Sequence, residues 1–341
     1  MDRASLRRNI DAMALCWKDI RHRIEWLALK TVASVVPILG RDALPLLAHT
    51  LGSAAYLLDG KSRATALENL RVVFGDQHSK NELRKIARRS FISFAQVQLD
   101  NLWTPRLHAD NYLEFVDIEF ESPDFEAIAR QRGSIWVTPH FGNFEWLSVI
   151  FGLRGFSFKV VAQSFKNPHL DPVITSKREH TGHQIIPQSG AMLKLLRHIK
   201  SGGHAAFLID LSLAPNRSAT VITCMDHLLC TTKLHAELAS RTGLPLMPAI
   251  SIPRPGGGYT MKMFRPLTDL HGRDPREIAQ ECWNVIEPSL LADPAPWLWP
   301  YKHWRYLPEE NLRGTTPYPD YANPNKNFDK LALELFATAP D

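Results

Sequence analysis

Six consecutive residues, His140-Phe-Gly-Asn-Phe-Glu145, carry the side chains of this chain best suited to chemistry. They follow the apolar run Ser134-Ile-Trp-Val-Thr-Pro139, which reads as a buried strand. An imidazole thus stands at the C-terminal end of a strand, with a carboxylate five positions on. On one continuous helix that spacing corresponds to roughly 500°, so the two side chains would diverge by about 140°. They meet only if the chain turns between them, and Gly142-Asn143 is turn chemistry. A Glu145 folded back on the ring would fix its tautomer and stabilise the imidazolium, leaving the second nitrogen as a general base. On these residues alone a plainer reading stands beside it: a histidine capping a helix whose first turn exposes Glu145.

The elements that must position this motif follow from the pattern of the chain. Residues 1–110 read as helical throughout, with Ser79-Lys-Asn-Glu82 a capping box before a long helix. On that helix Leu83, Ile86, Phe91, Phe94 and Leu102 form the apolar side, and Arg84, Lys85, Arg88 and Arg89 decorate the other. From residue 111 strands and helices alternate. Strands are expected at 114–119, 134–139, 158–163, 204–209, 246–252 and 259–264, and helices at 143–153, 168–180, 190–200, 231–242 and 274–291. Such alternation predicts an α/β fold with a mostly parallel central sheet and helices on both faces. The insert Pro253-Arg-Pro-Gly-Gly-Gly258 is expected to turn the last two strands antiparallel. The organisation read here is a helical membrane-associated region at 1–110, an α/β core at 111–306, and a loosely packed tail at 307–341.

Composition narrows the function classes. Cys16, Cys224, Cys230 and Cys282 form neither a CxxC pair nor a disulfide framework, and are expected to be reduced thiols. His180-Thr-Gly-His183 lacks a carboxylate at zincin spacing, so those histidines read as surface or supporting groups and no metal site is expected. No G-x-S-x-G elbow, P-loop or post-strand G-x-G-x-x-G is present. The net charge of +5 comes without a nucleic-acid module, which points to a membrane surface or an acidic carrier protein rather than nucleic acid. Residues 1–23 are polar and basic without an apolar h-region, so no signal peptide is expected there, and the apolar stretch Trp26–Leu58 is interrupted too often to span a bilayer. Trp17, Ile20, Ile24, Trp26 and Leu27 among basic residues resemble an interfacial helix. Asp210 ends the run Ala205-Ala-Phe-Leu-Ile209, so it and His140 are expected to face one cleft at the carboxyl ends of strands.

Taken in order along residues 25 to 306, several segments resemble the bacterial lipid A late acyltransferases. Arg63 with Asn69-Leu70 and Phe74-Gly75 is similar to the family's Arg…Asn-Leu…Phe-Pro segment. HFGNFE resembles its H-x-x-x-x-D/E motif; Asn167-Pro168, Arg178 and Gly182 its Asn-Pro…Arg…Gly block; Gly203 to Asp210 its Gly…Asp-Gln segment. Leu238–Pro245 and Trp297–Arg305 complete the series. Two departures stand out: Leu211 replaces the usual Gln, and Cys224-Met225-Asp226 replaces Phe-Phe-Gly in a region expected to shape the acyl tunnel. The resemblance implies acyl transfer from an acyl carrier protein or acyl-CoA thioester to a hydroxyl of a lipid A-type glycolipid. His140 and Glu145 would be catalytic, Arg178, Asp210 and Asn143 substrate-binding, and neither metal nor cofactor needed. The implied location is the cytoplasmic face of a bacterial inner membrane. Two alternatives remain: a glycerophospholipid or aminolipid acceptor, and a non-catalytic membrane-surface protein on the same scaffold.

Overall fold

The computed structural model describes residues 3–75, 77–162, 167–170, 181–187 and 190–336. Four helices open the chain: α1 (Arg3–Val35), α2 (Ala43–Leu58), α3 (Gly60–Phe74) and α4 (Lys80–Trp103). The Ser79 hydroxyl accepts from the Glu82 amide while the Glu82 carboxylate accepts from the Ser79 amide, so the capping box starts α4 as the sequence predicts. Helices α2 and α4 cross closely at Gly52, where a Cβ would lie 2.5 Å from the Ile92 Cα. Among the described residues no helix is long and apolar enough to cross a membrane.

The α/β unit then follows: β1 (Val116–Phe120), α5 (Phe125–Arg132), β2 (Ser134–Thr138), α6 (Phe144–Leu153), β3 (Phe158–Ala162), β4 (Gln184–Pro187), α7 (Ala191–Lys200) and β5 (His204–Leu208). After it come β6 (Ala219–Cys224), β7 (His227–Thr232), α8 (Leu234–Thr242), β8 (Leu246–Pro253), β9 (Tyr259–Met263) and α9 (Pro275–Ala292). The sheet order is β1-β9-β8-β2-β5-β3-β4, with β2 at its centre. All pairings are parallel except β8 with β9, as the turn at 253–258 predicts. Alternate residues of β2 feed opposite cores: Ile135 and Val137 pack with α7, α8 and α9, and Trp136 packs with α5 and α6. Helices therefore cover both faces. Apolar residues of α3 and α4 share the first of these cores, so the N-terminal helices are built onto the sheet.

Five strands escaped the sequence reading, three of them ahead of the tail. Strand β4 is only four residues long. Strands β6 and β7 form a separate antiparallel hairpin turned by Met225 and Asp226, both in left-handed backbone (φ 51° and 62°) without a glycine to mark the turn. The helix expected at 168–180 lies outside the described residues beyond 170, as does Arg178; 168–170 form a turn.

The tail expected to be loose is instead packed. Strands β10 (Tyr306–Leu307) and β11 (Asn323–Pro324) pair in parallel, short α10 (Glu310–Arg313) lies between them, and α11 (Lys326–Phe336) follows. Phe328 and Ala332 are fully buried against Ala219, Val221, Leu228 and Cys230 of the hairpin. The proline and asparagine content misled because the apolar residues of α11 needed a partner that the unrecognised hairpin supplies. Phe328→Ala is therefore expected to cost about 3–5 kcal/mol, the usual range for emptying a buried aromatic position. Urea melts would show it as a lowered midpoint at unchanged slope, and an unchanged midpoint would contradict the packing described.

Candidate active site

Strands β2 and β5 run parallel with Thr138 opposite Leu208. Continuing each strand by two residues brings His140 and Asp210 side by side at its carboxyl end. The Asp210 carboxylate accepts from His140 twice, from the backbone amide on Oδ2 (2.9 Å) and from ring Nδ1 on Oδ1 (2.7 Å). A carboxylate on Nδ1 fixes the proton there and leaves Nε2 as the nitrogen able to take another. Trp297 Nε1 donates to Asp210 Oδ2 at 2.8 Å. Asp210 is fully buried, which opposes its ionisation, but the His140 charge and these hydrogen bonds outweigh burial and hold its pKa below the ordinary carboxylate value.

The segment 294–303 crosses this strand end like a strap. Its carbonyls are gripped from the N-terminal helices: Ser90 Oγ donates to the Trp297 carbonyl at 2.6 Å, and Asn69 Nδ2 donates to those of Trp299 (2.8 Å) and Tyr301 (2.7 Å). The Gly142 amide in turn donates to the Pro296 carbonyl at 3.1 Å. Gly142 has φ +51°, and a Cβ there would fall 1.8 Å from the Ser251 carbonyl oxygen, so no other residue fits between the motif and β8. The His140 ring lies in a cleft between the strap and α4, bordered by Ser93, Phe94, Val97, Phe144 and Leu298. Phe144 sits edge-on to the ring at 4.7 Å. The arrangement can remove a proton from a hydroxyl held against largely apolar walls.

Three expectations for the site are corrected. The carboxylate on Nδ1 of His140 belongs to Asp210, not to Glu145, which lies in the first turn of α6, capped by Asn143. Asn143 is buried and caps α6, its side-chain oxygen accepting from the Trp146 amide at 3.0 Å, so it belongs to the scaffold rather than to a substrate surface. Asp210, equally buried, is a partner of His140 and not a substrate ligand. His183, read as a surface or supporting group, is buried: it accepts from the Phe158 amide and its Nε2 faces the Ser148 carbonyl at 2.8 Å. His180 lies outside the described residues. The free thiols of Cys224, Cys230 and Cys282 are buried, with burial pushing Cys230 up to about 12, and no group able to hold a metal occurs among the described residues.

Trp297, Ser90 and Asn69 were not singled out as site residues from sequence. Trp297 and Asn69 did sit in segments of the family resemblance; Ser90 sat unremarked on the capped helix. A second buried carboxylate, Asp100 on α4, ties the N-terminal helices to the motif. It pairs with Arg41, accepts from Gln96 Nε2 (2.6 Å) and from the Tyr259 hydroxyl, and lies 3.5 Å from Asn143 Nδ2.

The depressed pKa of Asp210 has a consequence in acid. Its contribution to stability is complete above the unfolded-state value and is lost as the pH falls through the folded value. Asp210→Asn lacks this contribution, so stability measured by urea melts between pH 7 and pH 3 should fall less steeply for the variant than for the natural protein. Parallel curves would show that the Asp210 carboxyl has the same pKa in the folded and unfolded states.

Comparison with known proteins bears on this geometry. No curated protein sequence matches the chain. One solved structure that it is similar to is that of the 1-acyl-sn-glycerophosphate (LPA) acyltransferase PlsC from Thermotoga maritima, at 15% identity and a TM-score of 0.37, covering 76% of this chain and 99% of that one. The family model described as bacterial lipid A biosynthesis acyltransferase matches residues 17–306, a span that takes in the strand ends, the strap and the helices that grip it, and the chain therefore belongs to that family of enzymes, which transfer acyl groups to lipids.

Proposed function

We propose that this protein moves a fatty acyl chain from a thioester, on acyl carrier protein or coenzyme A, to a hydroxyl of a lipid A-type glycolipid. The observation that carries the reading is the His140–Asp210 pair at the mouth of a cleft with apolar walls. In the proposed step the acceptor oxygen attacks the thioester carbonyl carbon while Nε2 of His140 takes its proton. The tetrahedral adduct collapses, the carbon–sulfur bond breaks, and the thiolate takes the proton back from the imidazolium as the ester is released. Asp210 keeps Nδ1 protonated and balances the charge of the ring as it forms. A thioester is already activated, so the step calls for neither a nucleophilic side chain nor a metal.

In this reading His140→Ala lowers turnover by about 10²–10⁴. Asp210→Ala has a similar or smaller effect, and the double variant loses scarcely more than His140→Ala, because the two act as one unit. Turnover is read by mass spectrometry of lipids incubated with purified protein and a carrier-linked acyl donor. Multiplicative losses in the double variant would refute the dyad. An acylated glycerophospholipid or aminolipid in place of the glycolipid would move the acceptor assignment and leave the chemistry standing.

The proposed workplace is the cytoplasmic face of a bacterial inner membrane. Supporting it, Trp17, Ile24 and Leu27 on α1 and Leu46, Leu57 and Leu58 on α2 are exposed, with Ile38 82% and Leu58 85% accessible. Large apolar side chains left uncovered in such number suit a lipid surface. Arg84, Lys85 and Arg88 on α4 remain solvent-exposed and suit lipid headgroups or an acidic carrier; Arg89, also exposed, is engaged by Asp293 at 3.0 Å. Replacing Ile38, Leu57 and Leu58 by Ser should reduce sedimentation with anionic vesicles at least tenfold while the thermal midpoint holds. Undiminished vesicle binding would remove this surface from the proposal.

A further inference from the structure

His303 sits behind the dyad, in the strap, and is fully buried. Both ring nitrogens face carbonyl oxygens: Nδ1 is 3.1 Å from that of Asp210 and Nε2 is 2.9 Å from that of Leu298. A carbonyl can only accept, and a neutral imidazole has one N–H to give. The neutral ring therefore turns a lone pair toward an oxygen, and flipping it would set carbons against both acceptors. Only the imidazolium satisfies the two contacts at once. The ring also lies flat on Trp297, centroids 3.9 Å apart and planes inclined by 21°, and Trp297 is the residue whose indole donates to the Asp210 carboxylate.

The charged and titratable groups facing His303 are few. Asp210 and His140 lie on the strand ends, and Tyr301 lies in the strap with its ring 5.2 Å away. Burial pushes the Tyr301 phenol up, so it remains neutral at working pH. Burial above all, with a smaller push from His140, lowers the His303 pKa from the ordinary imidazole value. The Asp210 carboxylate and both carbonyls oppose that lowering, and the two donor contacts are the ground for the cation.

We propose that His303 is a positioning residue of the acyl-transfer site, an imidazolium that donates to the Asp210 and Leu298 carbonyls at once and pins the Trp297 strap across the strand end. The proposal rests on the reading of His140 as general base and adds a second cation behind its partner. Two imidazoles thus flank one buried acidic residue, His140 on its carboxylate and His303 on its carbonyl. When His303 holds its proton, a positive charge stands behind the dyad and opposes a second one at the strand end.

Two measurements test this. Long-range ¹⁵N–¹H spectra of histidine-labelled protein report the protonation of His303 directly, whatever the enzyme does; both nitrogens should carry protons near neutral pH, and a ring with a single N–H from pH 6 to pH 8 would overturn the proposal. The second is the pH profile of kcat/KM for His303→Gln, whose amide can donate to one of the carbonyls but bears no charge. With a positive charge removed from behind the dyad, the acidic limb should move to higher pH by about 0.5–1 unit, with KM near its natural value. A limb left in place, with activity lowered equally at every pH, would mean that His303 merely fills space. Failure of the base reading looks different: His140→Ala would then retain activity, whatever the spectra of His303 show.

Discussion

A carboxylate withdrawn wholly from water must be met by donors, and at Asp210 that requirement organises the centre of this molecule. The donors come from far apart in the chain. His140 gives a backbone amide and a ring N–H from the end of the neighbouring strand, and Trp297 gives its indole from the strap. Removing a partner from such a group costs far more than the pair contributes net, because the remaining charge stays buried and unanswered. The parallel register of β2 and β5 and the path of the strap are therefore held to one arrangement.

The same logic recurs one layer out. Asp100 gathers Arg41, Gln96, Tyr259 and, more loosely, Asn143. These come from the turn before α2, from α4 itself, from β9 and from the cap of α6. The guanidinium of Arg41 also lies over Trp103 and Trp146. Asn167, in the Asn-Pro block, donates to the His22 carbonyl and the Glu25 carboxylate of α1. Helices whose outer faces are apolar are thus anchored on their inner faces by polar contacts, which orient them where apolar packing alone is non-directional.

Much of this was legible in the sequence, for identifiable reasons. Strands β2 and β5 are uninterrupted apolar runs ending in a polar residue, so both the strands and the residues they present could be read. The long capped helix α4 announced itself through Ser79 and Glu82. What stayed hidden depends on non-local pairing. Spacing within a motif drew attention to Glu145, whereas the carboxylate that reaches His140 is seventy residues away and is placed by strand register. That register leaves a trace: Ser134 and His204, as far apart in sequence, meet at the opposite end of the same strand pair through a 2.8 Å contact. The hairpin β6–β7 lacked a glycine turn, and with it hidden, the packing of Phe328 had no visible partner.

The strap also sets an order of events. A chain made from its N-terminus exposes β2, then β5, well before residues 294–303 leave the ribosome. Through that interval the strand ends can approach, but Asp210 lacks its indole donor and the cleft lacks one wall. The His140–Asp210 cleft is thus among the last features to close during vectorial synthesis, although its histidine and its carboxylate are translated early.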